Sequence, residues 1–534
     1  MKDTPLLEIE NLAIAFGTAP PVVQDVSFRI GLGETFGVVG ESGSGKSLSA
    51  FAVLGLLPPG ARVLEGSSIR FEGRELVGLS DAALRPLRGA RIAMVFQDPM
   101  VSLTPTLRAG AQVAEAVRQH RRLPRAGVRA RVAELFTEVG LDPALAGRYP
   151  HQLSGGQQQR VMIASALAGD PALLLADEPT TALDATVQAQ VLDLLDGLVR
   201  RRGLSMLFVS HDLAVVARMA RRVAVMQGGR LVEQGPVGQV LGSPQAEETR
   251  ALLAARRGLG CAAPLPPAPE AILRVEELAV DYPGAGPFAR PVRTVSGVSL
   301  AVAPGRVLGL VGESGSGKTT VAKALVGLVR PAAGRITLDG QPLPTGLGGR
   351  RQPLAQRVQI VFQNPYGSLS PRRTIAATLA EPLELLGVPA AERKDRAAVA
   401  LQEVGLPAGH LARFPHQLSG GQRQRIAIAR ALLAEPSVLI CDEVVSALDM
   451  ATQLQVLRLL REVQARRRLA MLFITHDLEV LAHLAQEVVV MRRGRVVEAG
   501  PTGQVLGAPL EGYTRELVAA MPRLPQADRI AVPV

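Results

Sequence analysis

The stretch that decides the fold is TFGVVGESGSGKS, residues 35–47, which returns as VLGLVGESGSGKT at 307–319. Each copy is a short apolar run, a glycine-rich turn, and then Gly-Lys with a hydroxyl residue. Gly40, Gly43, Gly45, Lys46 and Ser47 satisfy the spacing G-x-x-x-x-G-K-[ST], as do Gly312, Gly315, Gly317, Lys318 and Thr319. The glycines let successive backbone N–H groups curl around a phosphate, and the following helix points its partial positive end at the same anion. Lys46 and Lys318 are expected on the β- and γ-phosphates of ATP, with Ser47 and Thr319 on Mg²⁺. The bland alternative is a glycine-rich turn that happens to hold a lysine. It fails on the repeat: only five of the 59 basic residues are lysine, and two of those five stand at these positions.

Outward from the loops, the repeat covers the whole chain. PHQLSGGQ occurs at 150–157 and 415–422, and SHDLAV at 210–215 is matched by THDLEV at 475–480. The second copy carries six extra residues around Gly286 to Pro291 and loses six before Gln363, so length varies between motifs, as in surface loops. This gives a first domain over residues 1–255 and a second over 271–534. Between them, 256–270 is a Pro/Ala-rich tether, with four prolines in six residues from Pro264. The runs Thr35–Gly40, Ala172–Ala176 and Ser205–Val209 read as buried parallel strands. Helix-like repeats such as AGAQVAEAVRQH and RARVAELFTEVG fill the space between. They predict a mostly helical subdomain over about 98–153, with its counterpart over about 364–418. The fold class is α/β.

Composition narrows the function. Of 534 residues, 47% are hydrophobic and 20% charged, which supports large cores and excludes wholesale disorder. Aromatics make up 3% with no Trp, which argues against an aromatic platform for single strands. The net charge of +11 is carried almost wholly by arginine and is a weak pointer to any partner; no nucleic acid is expected. Cys261 and Cys441 are too few for a metal site of their own. No segment reaches the 18 apolar residues of a membrane span, and MKDTPLLEIENLAI lacks a signal-peptide pattern. A soluble cytoplasmic chain is expected.

Downstream of each loop an apolar run ends in an acidic pair, LLLADE at Asp177–Glu178 and VLICDE at Asp442–Glu443. An Asp delivered to the Mg²⁺ shell beside a Glu that polarises water suits phosphoryl transfer to water. A strand-end acidic pair alone is common on solvated surfaces; its place after a phosphate loop makes it selective.

With LSGGQ at 153–157 and 418–422 added, the chain resembles the ATP-binding subunit of ABC transporters, over almost its whole length and twice. The resemblance implies tandem P-loop NTPase domains, each a RecA-like core with an antiparallel β region and an inserted helical subdomain. It implies that Gln97 and Gln363 sense Mg²⁺ and the permease. Ser154, Gly155, Gly156 and Gln157, and Ser419, Gly420, Gly421 and Gln422, are then the signatures that close on a γ-phosphate held by the other half. Site one would join the first phosphate loop to Ser419, and site two would join Lys318 to Ser154. Asp184 and Asp449 become the loops that communicate between sites, and His211 and His476 the switch histidines on the γ-phosphate. Glu178 and Glu443 become the catalytic carboxylates, so two hydrolysis-competent sites are expected. Phe16 and Tyr282 match the adenine-stacking aromatic, with Phe288 a rival in the second half.

His120, His410 and His483 read as structural, and His151 and His416 as caps with no chemistry. Cys441 reads as packing, and the six arginines from Arg118 to Arg131 as a solvated helical face.

FQDPMVSLTP (96–105) and FQNPYGSLSP (362–371) resemble the paired ATPases of bacterial dipeptide and oligopeptide importers. GYTRELVAAMP (512–522) and, more loosely, EETRALLAARR (247–257) resemble that family's tail. The arrangement is similar to fused double ATPases that serve importers of microcin C-like peptides or glutathione. It implies two integral permease subunits, an extracytoplasmic solute-binding protein, and a peripheral place on the cytoplasmic face of the inner membrane. Two departures stand out. The chain has no Cys-rich C-terminal segment, so no iron–sulfur cluster is expected, and Val444 stands where the first copy has Pro179. The rival reading is a tandem ABC translation factor on ribosomes, whose long charged linker this chain lacks. A DNA-repair ABC ATPase is a further alternative, weakened by the lack of zinc-ligand cysteines.

Overall fold

The computed structural model describes residues 5–522 apart from 182, 258–268, 285–289, 345–355, 364, 447 and 449. Most of the expected linker, with Cys261, therefore lies outside the described residues, as do Phe288 and Asp449. The chain divides into two compact units, drawn mainly from residues 1–256 and 257–521.

In the first unit a six-stranded sheet runs Arg230–Pro236, Arg222–Gln227, Thr35–Gly40, Ser205–Ser210, Leu173–Asp177, Ile92–Val95. All neighbours are parallel except the outermost hairpin. Every residue of Thr35–Gly40, Leu173–Asp177 and Ser205–Ser210 is buried. This is why these segments read as continuous apolar runs and not as alternating ones: the sheet is covered on both faces. The period of two still sorts the side chains. Phe36 and Val38 join a core with Leu7, Ile9 and Phe28, while Val39 joins another with Val113, Phe136 and Ile163. The first of these cores belongs to an antiparallel sheet in which Leu7–Phe16 pairs with Val23–Ile30 and Ser68–Phe71.

The inserted region is helical. Its helix Ala109–His120 coincides with AGAQVAEAVRQH and buries Ala109, Val113 and Val117 at helical spacing. Helix Arg125–Glu138 buries Val128, Val132, Leu135 and Phe136. In the second unit Ile375–Leu385 and Ala390–Glu403 take their places. The second main sheet has the same order: Val358–Val361, Val438–Asp442, Ala470–Thr475, Val307–Val311, Glu487–Arg492, Arg495–Pro501. Cys441 is fully buried in Val438–Asp442, where burial pushes its thiol far above the ordinary range. Among the described residues no helix is long and apolar enough to cross a membrane.

Four arginines of the run, Arg118, Arg122, Arg125 and Arg129, are exposed as expected, while Arg121 and Arg131 depart from the solvated face. Arg121 pairs with Asp170, and Arg131 reaches the same carboxylate at 3.0 Å. Arg202, from the end of helix Ala185–Arg202, binds Asp170 at 2.9 Å and Glu138 at 2.5 Å. The network ties the helical insert to the nucleotide-binding core, which the charge pattern alone could not reveal because Asp170 is distant in sequence. Leu386 replaces Arg121 in the second unit, leaving Arg467–Glu403 at 2.5 Å as the equivalent tie. His410 is structural, 6% exposed, with Nδ1 at 3.1 Å from the Pro407 carbonyl. Asp170→Asn is expected to lower the stability of the first unit by about 1 kcal/mol, since Asp170 is half exposed and solvent weakens its ion pairs. Urea denaturation read alongside hydrogen exchange of residues 125–138 checks this, with Glu435→Gln, at the position the repeat places opposite Asp170, giving the smaller change.

Candidate functional site

The strand Thr35–Gly40 runs straight into its loop, and Lys46 opens the helix Lys46–Leu54. Gly45 has φ 92°, and a Cβ there would lie 2.6 Å from a Val23 methyl, so only glycine closes the turn. Gly317 repeats this conformation at φ 102°. Lys46 is buried and curls over its own loop, its Nζ donating to the carbonyls of Gly40 and Glu41, each at 2.8 Å. Lys318 does the same to Gly312 (2.7 Å) and Glu313 (2.9 Å), and burial lowers its pKa. Both lysines are held over their own glycine-rich loops by backbone carbonyls, contacts that a polyphosphate bound in the loop can replace.

The acidic pairs arrive because the sheet order brings three strand ends together. Thr35–Gly40 neighbours Ser205–Ser210, which neighbours Leu173–Asp177, all parallel. Ser47 Oγ donates to Asp177 Oδ1 at 2.9 Å, and Thr319 Oγ1 to Asp442 Oδ1 at 3.2 Å. Burial pushes Asp177 and Asp442 up to about 6 each. Glu178 and Glu443 stand in the left-handed region, at φ 46° and 49°, a conformation that costs a non-glycine residue about 1–3 kcal/mol. Their N–H groups donate across to Val209 and Ile474, each at 2.9 Å, which fixes the turn. His211 Nδ1 lies 3.1 Å from Glu178 Oε1, and His476 Nδ1 3.5 Å from Glu443 Oε1. Burial opposes charge on all four groups. The histidine contacts nevertheless hold both glutamates below the ordinary carboxylate range, and both histidines are raised in return. Gln97 Nε2 donates to Glu178 Oε2, and Gln363 Nε2 to Glu443 Oε2, each at 2.8 Å.

The donor set fits Mg²⁺. A hydroxyl and a carboxylate already in contact offer hard oxygen atoms, and burial raises each Asp further than its nearby positive charge lowers it, an imbalance a cation would offset. Ser47, Asp177 and Gln97, and Thr319, Asp442 and Gln363, would hold the ion. When bound, it neutralises charge on the β- and γ-phosphate oxygens.

The signatures have a structural role as well. Ser154 caps the helix Gly155–Ala166, with its Oγ accepting from Gln157 N–H at 3.3 Å and Gln157 Oε1 accepting from Ser154 N–H at 3.0 Å. Ser419 and Gln422 repeat this at 3.3 and 3.0 Å on the helix Gly420–Leu432. A Cβ on Gly156 would meet Val187 at 2.3 Å, and one on Gly421 would meet Thr452 at 2.2 Å. Asp184 lies directly before the helix Ala185–Arg202. Phe16 and Tyr282 each end the first strand of their antiparallel sheet and are half-buried. His151 stacks on Tyr149 and His416 on Phe414, both beside the signatures and away from the acidic pairs.

One contact escaped the sequence reading. Thr181 Oγ1 donates to Glu178 Oε2 at 2.9 Å, whereas its counterpart Ser446 donates to the Glu443 backbone carbonyl at 3.0 Å. A hydroxyl residue three places after each glutamate was the available signal.

Comparison with known proteins follows the same lines. The family described as ABC transporter matches residues 23–181 and 295–446. The chain belongs to the ABC transporter family. It is 46% identical over 539 residues to the peptidoglycan transport ATP-binding protein YejF of Agrobacterium fabrum, covering 97% of both chains. It is 45% identical to an uncharacterised ABC transporter ATP-binding protein, also YejF, of Escherichia coli K12, covering 96% of this chain and 99% of that one. The glutathione import ATP-binding protein GsiA of Escherichia coli K12 is 42% identical over 557 residues, covering 97% and 89%. This chain is therefore an ATP-binding ABC transporter protein with two fused ATPase domains, and an ATPase. Thr181→Val is expected to lower the ATPase rate of this ABC protein about tenfold or more, the effect of losing one hydrogen bond to a carboxylate. Thr181→Ser should restore it; steady-state phosphate release from the two purified variants checks both.

Proposed function

We propose that this chain is the energy-coupling subunit of a peptide importer, taking di- or oligopeptides or related small solutes. Its partners are two integral permease subunits and an extracytoplasmic solute-binding protein, and it works at the cytoplasmic face of the inner membrane. The observation that carries this reading is end-to-end similarity to relatives named for peptidoglycan transport and glutathione import. Both names describe solutes containing peptide or peptide-like linkages.

Two ATP sites are proposed, each completed by the signature of the other half. Lys46 or Lys318 and the loop amides bind the β- and γ-phosphates, and Phe16 or Tyr282 stacks on adenine. Glu178 or Glu443 takes a proton from water as its oxygen attacks the γ-phosphorus. The bond to the β–γ bridging oxygen breaks, giving ADP and phosphate. His211 and His476 orient those carboxylates, a role supported by their 3.1 and 3.5 Å contacts. Gln97 and Gln363 link each carboxylate to the helical insert, so that the presence of the γ-phosphate is transmitted to the permease. Tighter binding of ATP than ADP to the closed state supplies the drive. Val444 leaves this chemistry in place, since Glu443 keeps the backbone conformation of Glu178.

The test is the double variant Glu178→Gln/Glu443→Gln, purified with ATP in mild detergent from membranes of its own organism. It should retain bound ATP, hydrolyse at least about a hundredfold more slowly, and bring down two polytopic membrane proteins. Ribosomal subunits without a membrane protein would replace the transport reading with a translational one, and unchanged turnover would remove the glutamates from the mechanism.

A further inference from the structure

The segment GYTRELVAAMP, residues 512–522, follows the second core and contributes no group to phosphoryl transfer. It forms the helix Gly512–Ala520, with Tyr513, Thr514, Leu517 and Val518 buried along one face. Tyr513 is 5% exposed. Its phenolic oxygen accepts a hydrogen bond from the backbone N–H of Glu313 at 3.1 Å. Glu313 is the second residue of the second phosphate loop, and its carbonyl accepts from Lys318 Nζ at 2.9 Å. One loop residue is thus held at both ends, at the C=O by the phosphate-binding lysine and the Ser316 N–H (3.1 Å) and at the N–H by the C-terminal helix. The tyrosine ring is held in turn by Arg492, whose guanidinium lies 4.5 Å from the ring centroid. Arg492 ends the strand Glu487–Arg492, which pairs with the loop's own strand Val307–Val311.

The first half has neither partner. The repeat places Gln227 opposite Arg492 and Glu248 opposite Tyr513, and Glu248 is exposed. The residue that would reach the loop and the residue that would hold it in place are both different.

We propose that Tyr513 is a positioning residue for the second nucleotide site, anchoring the C-terminal helix to the phosphate loop at Glu313. Nucleotide binding at Lys318 and seating of that helix are then coupled, and the coupling belongs to the second half alone. A triphosphate that draws Lys318 Nζ away from the Glu313 carbonyl removes one of the ties on that residue. The tyrosine tie keeps the loop in its binding conformation, so less order has to be imposed by the ligand. Linkage makes the effect reciprocal: bound nucleotide must steady the helix by as much as the helix favours nucleotide.

The inference rests on Gly312–Thr319 being a nucleotide loop, and the experiment separates the two claims. Lys46→Ala confines binding to the second loop, and a fluorescent ATP analogue with Mg²⁺ is titrated into that chain with and without Tyr513→Phe. Loss of the hydroxyl should weaken binding about two- to tenfold, the range of one neutral hydrogen bond. It should also abolish the nucleotide-induced slowing of hydrogen exchange in residues 512–520. Glu248→Gln in a Lys318→Ala chain should change neither affinity nor exchange. Either readout unmoved by Tyr513→Phe overturns the proposal. Faster exchange throughout the second unit without nucleotide also overturns it, by reducing Tyr513 to a packing residue. A Lys46→Ala chain that binds no analogue at all removes the loop assignment itself, and the inference with it.

Discussion

Three parallel strands that end side by side set what each half of this protein can do. Thr35–Gly40 carries the phosphate loop, Ser205–Ser210 delivers His211, and Leu173–Asp177 delivers the acidic pair; each is hydrogen-bonded to the next. Their backbones are completely buried, so the register cannot slip by one residue without turning a side-chain set toward the wrong core. The contact between Ser47 and Asp177, 130 residues apart, exists because that register is fixed. The same holds for Thr319 and Asp442 in the second half.

Around this edge the chain spends strain and charge where the chemistry lies. Both glutamates adopt a backbone conformation that disfavours any side chain, and in both cases a hydrogen bond from the glutamate N–H to a carbonyl of the next strand enforces it. The turn aims each carboxylate at a histidine and a glutamine that come from different segments. The aspartates one residue earlier are buried with a hydroxyl for company and too little positive charge. A carboxylate in that position is a place for a cation, and the adjacent lysine loop is a place for phosphates.

The halves repeat the same plan with different fastenings. The first binds its helical insert through arginines converging on Asp170, where the second has Leu386 in place of one of them. The first holds its glutamate with the Thr181 hydroxyl, where the second has Ser446 turned toward the backbone. The second fastens its phosphate loop to the C-terminal helix through Tyr513. Two of these differences, at Asp170 and at Tyr513, rest on partners far away in the chain, and together they give two similar halves distinct mechanical surroundings.

The sequence alone determined the repeat, the phosphate loops, the acidic pairs and the strand-and-helix alternation, because each is written in short contiguous spacings that local geometry dictates. The helix Ala109–His120 was legible to its ends, since its apolar period and its boundaries are local properties. Tertiary structure alone decided which arginines of the run Arg118–Arg131 face solvent, because Asp170 approaches them only after the sheet has formed. It also decided the left-handed turn of Glu178 and the reach of Tyr513 to Glu313. Each of these depends on a partner brought in by sheet order or helix docking, and no pattern of neighbouring residues encodes a distance between strands.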